Sequence, residues 1–407
     1  MSANSLPTTV TTVTTPPTKI DHSRLSSKQH SDGGRGLIPV QSRAARFGSY
    51  EVSDFEQVSG QEVEWKNTPI RLLQSLLSEP LEGSAPECEI SVSGDATTEW
   101  IARDDERIGT TGKPEDRASA NAWSSFDKAL LVTVTGEEES RVLIVRNSLG
   151  TAARATHMVI RAEKHSHGLV IIENSGPAQL AENVEIQVDE GANLTVVSVQ
   201  EWDGEAIHLA SHFAEVGHDA HLKHVLVTLG GNVIRINPSV HLSREGGSIE
   251  LYGVYFADSG QHLEQQVFVN HDAPNTKSRV SYKGALQGQG ARTVWVGDVL
   301  IRPSAPGTDS YEQNRNLLLT DGARADSVPN LEIETGDIAG AGHASASGRF
   351  DDEQLFYLQA RGIPEDEARR LVVRGFLSEI VQKIGFPVLE ARLQDAIEAE
   401  LLNSKAV

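Results

Sequence analysis

The sequence predicts a mostly β protein: a right-handed parallel β-helix core flanked by an N-terminal helical region and a C-terminal helical domain. Between residues 128 and 331, short β-rich runs follow one another with no amphipathic helix between them, which argues against a βαβ alternation. Segments within this stretch recur at a nearly constant spacing, as in a solenoid. From residue 351 onward the apolar residues take up helical spacing.

The N-terminal part divides into a tail and a mixed region. Residues 1–35 are rich in Thr, Ser and Pro and poor in large apolar groups, so we expect a disordered tail. Residues 36–122 are predicted to form a mixed, partly helical region. Its clearest helix is "IRLLQSLLS" (70–78), which begins after Pro69. The charged, Gly-containing residues 102–122 predict a loop.

The predicted β-helix core, residues 123–350, carries a repeat. Three segments superimpose with offsets of 28 and 27 residues: "EGANLTVVSVQEW" (190–202), "HDAHLKHVLVTLG" (218–230) and "EGGSIELYGVYFA" (245–257). A second track, with a constant spacing of 27, consists of Phe213, Val240, Val267 and Val294. Fixed spacing without helices favours a parallel β-helix in which each coil buries its inner face against the next. A β-sandwich with coincidental spacing is the alternative.

Residues 351–407 predict a small domain of three helices. The first begins with the acidic residues of "DDEQLFYLQARG" and ends near Gly362. The second begins at Pro364, and its expected buried face consists of Ala368, Leu371, Val372, Phe376, Ile380 and Ile384. The third covers roughly residues 387–403.

Composition limits the classes of function. A formal net charge of −21 argues against nucleic acid or an anionic membrane as the main partner. No apolar run approaches the ~20 residues of a membrane span, and we expect no secretion signal because the first residues lack a charged and then apolar pattern. The single cysteine, Cys88, excludes an intrachain disulfide and fits a reducing, cytoplasmic compartment.

Most residues that could carry chemistry have a simpler structural explanation. His218, His221 and His224 are three residues apart, so on a strand they alternate faces and cannot converge on one metal ion. We expect these histidines, and the pairs at 208/212 and 165/167, to be structural. "GTTGK" (109–113) lacks the glycine spacing and the Ser/Thr of a phosphate-binding loop. Cys88 lies between acidic residues, which predicts a non-reactive thiol.

The last third of the chain resembles a known family. "NLLLTDGARADSVPNLEIETGDI" and "GHASASGRFDDEQLFYLQARGI", within residues 316–363, closely resemble the closing core of the SufB/SufD family of iron–sulfur cluster assembly scaffolds. "EVEWKNTPI" (62–70) and "EARRLVVRGFLSEIV" (367–381) resemble its N-terminal element and its helical tail. The chain length and the element around Trp65 resemble SufD more than the longer SufB. The resemblance implies a β-helix between helical domains, in agreement with the fold predicted above.

The resemblance also implies a site. The family motif "C-S-H-G-A-T-x-G" corresponds to "A-G-H-A-S-A-S-G" here, so His343 is the candidate ligand for iron or a nascent cluster. Ala341 stands at the cysteine position, and the preceding "GDIAGA" is one residue longer than in the family. Imidazole is therefore the one strong ligand of the motif. The alternative is a loop histidine that hydrogen-bonds a turn.

The implied role is a non-catalytic subunit. It would pair with a SufB-like chain and recruit a SufC-type ABC ATPase through helices at 352–384, with a cluster forming at the interface of the heterodimer. The candidate docking residues are Phe356, Tyr357, Arg361, Phe376 and Glu379. No cofactor is expected to bind the isolated chain tightly, iron or the cluster would be transient, and the sequence does not decide whether a flavin takes part. Two alternatives stay open: a β-helix carbohydrate-active enzyme, and a SufB-like scaffold that forms homodimers.

Overall fold

The computed structural model describes residues 46–78, 80–147, 149–349 and 352–403. The predicted tail, residues 1–35, lies outside the described residues. The strands are β1 (Glu89–Ser93), β2 (Ala96–Ala102), β3 (Lys128–Val134), β4 (Ser140–Arg146), β5 (Ala153–Ala162), β6 (His167–Gly176), β7 (Gln179–Val188), β8 (Asn193–Trp202), β9 (Ile207–Val216), β10 (His221–Thr228), β11 (Val233–Leu242), β12 (Ser248–Ala257), β13 (His262–His271), β14 (Lys277–Leu286), β15 (Arg292–Ile301), β16 (Thr308–Leu318), β17 (Arg324–Ile333) and β18 (Ile338–Arg349). The α-helices are α1 (Gln74–Leu77), α2 (Arg117–Ser125), α3 (Asp352–Gln359), α4 (Glu365–Val381) and α5 (Pro387–Asn403).

The core is a parallel β-solenoid, as predicted. In the described part of the chain the strands form two sheets of nine. Sheet I has the order β1-β4-β6-β8-β10-β12-β14-β16-β18, and sheet II has the order β17-β15-β13-β11-β9-β7-β5-β3-β2. From β3 to β18 the chain alternates between the sheets and pairs in parallel within each, so every two strands make one coil. Only β1 and β2 pair antiparallel, at the first coil.

The first repeat track is confirmed by the strand register. Asn193 of β8 lies beside His221 of β10, which lies beside Ser248 of β12, and these pairs have the offsets of 28 and 27 that the sequence predicts. Parallel pairing of successive coils also excludes the β-sandwich alternative. The three segments are therefore equivalent rungs of one sheet.

The second track, with its constant spacing of 27, is wrong. On sheet II, Phe213 lies beside Ser239, and Val240 lies beside Val269, so the true offsets are 26 and 29. The physical reason is that the strands keep about ten residues while the turns between them lengthen along the solenoid. By the end, Ser278 and Ser310 are neighbours 32 residues apart.

Apolar side chains fill three layers. One lies between the two sheets and contains, for example, Leu194 and Val196 of β8. A second joins the outer face of sheet I to α4 and α5, and includes Val197 of the same strand. A third joins the outer face of sheet II to the N-terminal region, including Trp65 and Trp123. Strands that are buried on both faces have nearly continuous apolar sequences, which explains the apolar character of the β-rich runs.

The N-terminal region contains the helical segment predicted at 70–78 and a second helix at the end of the predicted loop. Residues 70–78 form a 3-10 turn (Ile70–Leu72) followed by α1, as expected. The loop predicted at 102–122 is wrong at its end, because α2 begins at Arg117 and is capped by Asp116, whose side chain accepts a hydrogen bond from the Ser119 N–H. Helix α2 has nine residues, and its buried apolar side chains are three alanines and Trp123, so its apolar face is too small to stand out in the sequence.

The three C-terminal helices lie where they were predicted, but the predicted buried face of α4 needs correction. Ala368 and Ile380 are buried as expected. Leu371, however, is 44% exposed, whereas Val373 and Leu377 are fully buried. Helix α4 packs on sheet I and on α5 together, so its buried surface faces two neighbours and is rotated from the simple stripe.

Candidate functional site

His343 lies on a strand, within the range predicted for the β-helix core, and not in a loop as the alternative reading had it. It belongs to β18, which pairs in parallel with β16 so that His343 is beside Glu312. The register skips one residue, Ala339, at a bulge opposite Thr308 and Asp309. The bulge falls in "GDIAGA", the stretch that is one residue longer than the family motif. Small Gly, Ala and Ser side chains thus serve to form a pleated edge strand.

The imidazole belongs to the inner face of the solenoid. Alternation along β18 puts Ala341, His343 and Ser347 on one side. Ala341 packs against the apolar layer between the sheets, and Asn316 Nδ2 of β16 donates a hydrogen bond to Ser347 Oγ at 3.3 Å. His343 itself is exposed, because β18 is the last strand of sheet I. The inner face of the last coil therefore opens to solvent at this end.

Glu312, the neighbour of His343 on β16, has no counterpart in the sequence prediction. Its residue exposure is 0%, and among the described residues its carboxyl has no side-chain hydrogen-bond partner, only a backbone contact with Asn330. Burial, with a smaller effect from the charge of Asp298, raises the pKa of Glu312 to about 8. A Cβ at Gly297 would overlap the Trp295 ring and a Glu312 carboxyl oxygen, so glycine gives the carboxyl its space. Alternation in "YEQNRN" is the signal that could have indicated an inward acid.

The rest of the closing coil is a hydrogen-bonded polar network. Asn314 Nδ2 donates to Tyr255 Oη at 2.8 Å, and Tyr255 Oη donates to Asn316 Oδ1 at 2.7 Å. Asn316 Nδ2 and Ser327 Oγ both donate to Asn314 Oδ1, at 2.7 and 2.8 Å. These buried amides satisfy one another. Glu312 lies on the same strand face but outside the network.

The five candidate docking residues fall into two groups. Phe356 and Tyr357 of α3 are 71% and 56% exposed, and the Arg361 guanidinium lies 4.5 Å from the Tyr357 ring centroid. These three form a protruding surface. The other two residues, Phe376 and Glu379 of α4, are held by the chain itself.

Lys283 of β14 fixes that part of α4. Its buried ammonium pairs with the Glu379 carboxylate and lies 4.6 Å from the Phe376 ring centroid. Hydrogen bonding to Lys283 lowers the pKa of Glu379. Phe376 also borders an open cleft of about 390 Å³ between α4 and strands β16 and β18, next to Arg315 and Arg349.

Of the seven histidines set aside in the sequence, His208, His212 and His224 are buried inside the solenoid. His221 is half-buried and His224 is buried, on opposite faces of β10, as their spacing predicts. His212 Nδ1 and His224 Nε2 are 2.8 Å apart inside the solenoid, and His208 Nε2 lies 3.3 Å from Glu182 Oε2. Among the described residues, no three His, Cys, Asp or Glu side chains converge as a metal site.

"GTTGK" does bind an anion, although the anion belongs to the chain itself. The backbone N–H groups of Gly109, Thr110 and Thr111 donate to the Glu185 carboxylate, at 2.8 to 3.3 Å. His157 Nε2 is 2.8 Å from the other side of that carboxylate. Burial would raise the pKa of Glu185, but these hydrogen bonds outweigh it and keep the pKa below its usual value. The loop is a structural clamp on sheet II.

Cys88 is half-buried against the first coil. Burial raises the pKa of its thiol, opposed by the positive charge of Arg146. The predicted low reactivity of the thiol therefore has burial as its cause, in place of the flanking acids considered in the sequence.

In the described part of the chain, no helix has both the length and the apolar character needed to cross a membrane.

Comparison with known proteins gives a consistent result. Residues 144–376 match the family model described as the SUF system FeS cluster assembly, SufBD core domain. The iron–sulfur cluster assembly SufBD family protein of Mycobacterium bovis is 50% identical over 368 residues, which cover 87% of this chain and 92% of the relative. A similarly named protein of Mycobacterium leprae is 48% identical over 369 residues, 87% of this chain and 93% of the relative. A second SufBD family protein of M. leprae is 32% identical over 201 residues, 49% of this chain and 23% of that relative.

Proposed function

Because the chain belongs to the SufBD family of iron–sulfur cluster assembly proteins, we propose that it is a SufD-type scaffold subunit. It pairs with a SufB-like chain, recruits a SufC-type ABC ATPase and helps to hold a nascent cluster at the heterodimer interface. The chain itself is non-catalytic, works in the cytoplasm and holds no tightly bound cofactor. Iron and the cluster are its cargo.

The observation that carries this proposal is the position of His343. The imidazole is on the inner face of the solenoid, on its last strand, with solvent access. Neutral imidazole is a suitable ligand for iron. Among the described strands, β18 has no neighbour on its outer side, so its backbone N–H and C=O groups are open there, as in an edge strand to which another chain adds. A partner at this edge would lie directly beside His343.

Two relatives in one organism support pairing with a paralogue. M. leprae has a SufBD family protein that this chain matches over 93% of its length, and a second that it matches over only 23%. The first type corresponds to this chain. The second is a longer SufBD protein, consistent with a distinct partner subunit.

The α3 surface is the proposed ATPase contact. Phe356 and Tyr357 of α3 and Arg361 of the following turn are exposed together, and α3 follows β18 directly in the chain. Large exposed aromatic residues beside an Arg are typical of interface anchors. Phe376 and Glu379 contribute by holding α4 to sheet I. Substituting Tyr357 with Ala should abolish co-purification with the ATPase, whereas Val388→Ala, at a still more exposed apolar site on α5, should not.

Reconstitution of the three-chain complex tests the function. His343→Ala should lower the yield of assembled cluster several-fold and leave the heterodimer intact. Ser345→Ala, on the same face of the same strand, is the matched control. Equal cluster yields for the two variants would contradict the ligand role of His343. If no complex forms, and the isolated chain forms a homodimer that holds iron and sulfide, then the self-associating scaffold is the correct assignment.

A further inference from the structure

We infer that the Glu312 carboxylate is a second iron-binding group of this chain, which together with His343 forms a two-residue half-site completed by the partner subunit. This inference rests on the proposed function, because it concerns the cargo of the same interface. It adds an oxygen ligand to a motif that supplies one nitrogen.

The register brings the two residues together. Glu312 and His343 are paired neighbours on β16 and β18. Adjacent strands lie ~4.8 Å apart, and paired residues of parallel strands point to the same face. That face is the inner one, because Asn316 and Ser347, four residues further along each strand, form a hydrogen bond there. One ion can therefore contact both side chains.

Glu312 has unused ligand capacity. It is fully buried, and among the described residues its two oxygens have no side-chain hydrogen-bond partner and a single backbone contact, with Asn330. A buried polar group without a partner is costly, by ~1–3 kcal/mol, and in native proteins is rare enough to require an explanation. The other polar residues on that face of β16 are all hydrogen-bonded: Thr308, Ser310, Asn314 and Asn316. Glu312 alone on this face is left for an external partner.

The residues around Glu312 leave room for its carboxyl group. Gly297 leaves room for the carboxyl, since a Cβ there would collide with it and with Trp295. Trp295 is fully buried and its Nε1 also lacks a partner. His343 on the last strand separates Glu312 from solvent by a single rung. The carboxyl thus lies one rung inside the open end, next to the strand that carries the imidazole.

The chemistry fits ferrous iron. A carboxylate and an imidazole are common ligands of Fe²⁺, and open coordination positions remain for a partner's ligands or sulfide. The hard oxygen compensates for the thiolate that is missing here, since the family's cysteine position is Ala341. Two ligands from one chain predict weak metal binding until the partner is present.

Fe²⁺ binding to the purified complex with a SufB-like chain, measured by anaerobic equilibrium dialysis, tests the inference. Glu312→Gln, which keeps the shape but has no proton to release to a metal ion, should weaken Fe²⁺ binding tenfold or more and leave heterodimer formation unchanged. The matched control is Glu334→Gln, the same change on an exposed residue of the neighbouring turn, and it should bind like the unaltered complex. Glu312→Asp keeps a carboxylate and should bind more tightly than the Gln variant.

The outcomes separate this inference from the proposed function. If Glu312→Gln binds Fe²⁺ like the Glu334→Gln control while His343→Ala binds weakly, Glu312 is not a ligand and the proposed function stands. If Glu312→Gln fails to pair with the SufB-like chain, the Asp variant decides: binding no weaker than in the unaltered complex supports the inference, and loss of binding with a native circular dichroism spectrum overturns it. Unchanged cluster yield in His343→Ala would instead count against the proposed function.

Discussion

The buried carboxylate of Glu185 attaches the N-terminal region to the solenoid. Glu185, on the outer face of sheet II, is clamped by three consecutive backbone N–H groups of the Gly109–Thr111 loop and by His157. A carboxylate that accepts several N–H bonds is strongly held in its charged form. The clamp joins a loop before α2 to β7, two segments that are far apart in sequence. One residue therefore attaches the N-terminal region to the solenoid.

We expect Glu185→Gln to lower the free energy of unfolding by about 3 kcal/mol, because the amide cannot accept from three N–H groups and loses the charge that stabilises them. Urea unfolding monitored by circular dichroism measures the change. Glu190→Gln, which removes an equally charged but exposed partner of Lys164, is the control and should leave unfolding unaltered. A Glu185→Gln variant as stable as this control would show that the loop is held by packing alone.

The buried imidazoles His212 and His224 predict a pH dependence of stability. Burial lowers the pKa of His212 to about 4 and that of His224 well below its usual value. The unfolded chain takes up protons below pH 6.5, whereas the folded chain does so only near pH 4 at His212. Stability is therefore lost as pH falls between these values. At pH 5, His212 alone accounts for about 2 kcal/mol relative to pH 7.

Urea titrations at pH 7, 6 and 5 check this expectation. The double variant His212→Leu/His224→Leu should lose less stability between pH 7 and 5 than the unaltered chain. His218→Gln, an exposed histidine on the turn before β10, should not alter the slope. Parallel pH profiles for the double variant and the unaltered chain would exclude these histidines as the cause.

The secondary-structure elements that the sequence predicts correctly are those that depend on a local pattern. The β-rich runs, the 28- and 27-residue offsets of β8, β10 and β12, and the three C-terminal helices follow from periodicity, and all are present. The constant spacing of 27 predicted for sheet II is wrong because the turn lengths vary. The spacing of apolar residues alone does not determine which residues are paired on neighbouring strands. Helix α2 was missed because it is short and its buried apolar residues are three alanines and one Trp.

The sequence also identifies only part of the candidate site. His343 was identified by its motif, but its strand conformation depends on pairing with β16, which the Gly/Ala/Ser composition does not reveal. Glu312 was not identified, because only the fold places it under His343 and only burial distinguishes it from the many other acids. A motif is enough to identify His343. To identify Glu312, 31 positions earlier, as its neighbour, one must also know the length of the coil.

Helix α4 allows a direct test of which face is buried. Leu377 is fully buried against sheet I, whereas Leu371, six residues earlier, is 44% exposed. Leu377→Ala should lower the free energy of unfolding by about 3 kcal/mol, as large-to-small changes in cores do. Leu371→Ala on the same helix should change it by less than about 0.5 kcal/mol. Equal effects of the two substitutions, measured by urea unfolding, would mean that the original helical stripe was correct.

The whole molecule is a solenoid between two unlike covers. The N-terminal region lies on the outer face of sheet II, and α4 and α5 lie on the outer face of sheet I, so neither sheet presents its apolar outer face to solvent there. The covers leave the last coil free, with β17 and β18 at the ends of their sheets. Exposure is therefore concentrated at the end of the solenoid that carries His343.

This arrangement predicts the effect of removing a cover. A chain ending at residue 350 lacks α3 to α5 and exposes the outward apolar residues of sheet I, among them Leu169, Val197, Val225, Val254 and Phe256. A contiguous apolar surface of this kind exceeds what soluble monomers tolerate, so we expect aggregation and strong binding of a hydrophobic dye. A chain that lacks residues 1–35, which composition predicts to be disordered, is the control and should elute in size-exclusion chromatography as the full chain does. A monodisperse, dye-free product ending at residue 350 would contradict the role of the helices as a cover, because it would mean that sheet I can face water unprotected.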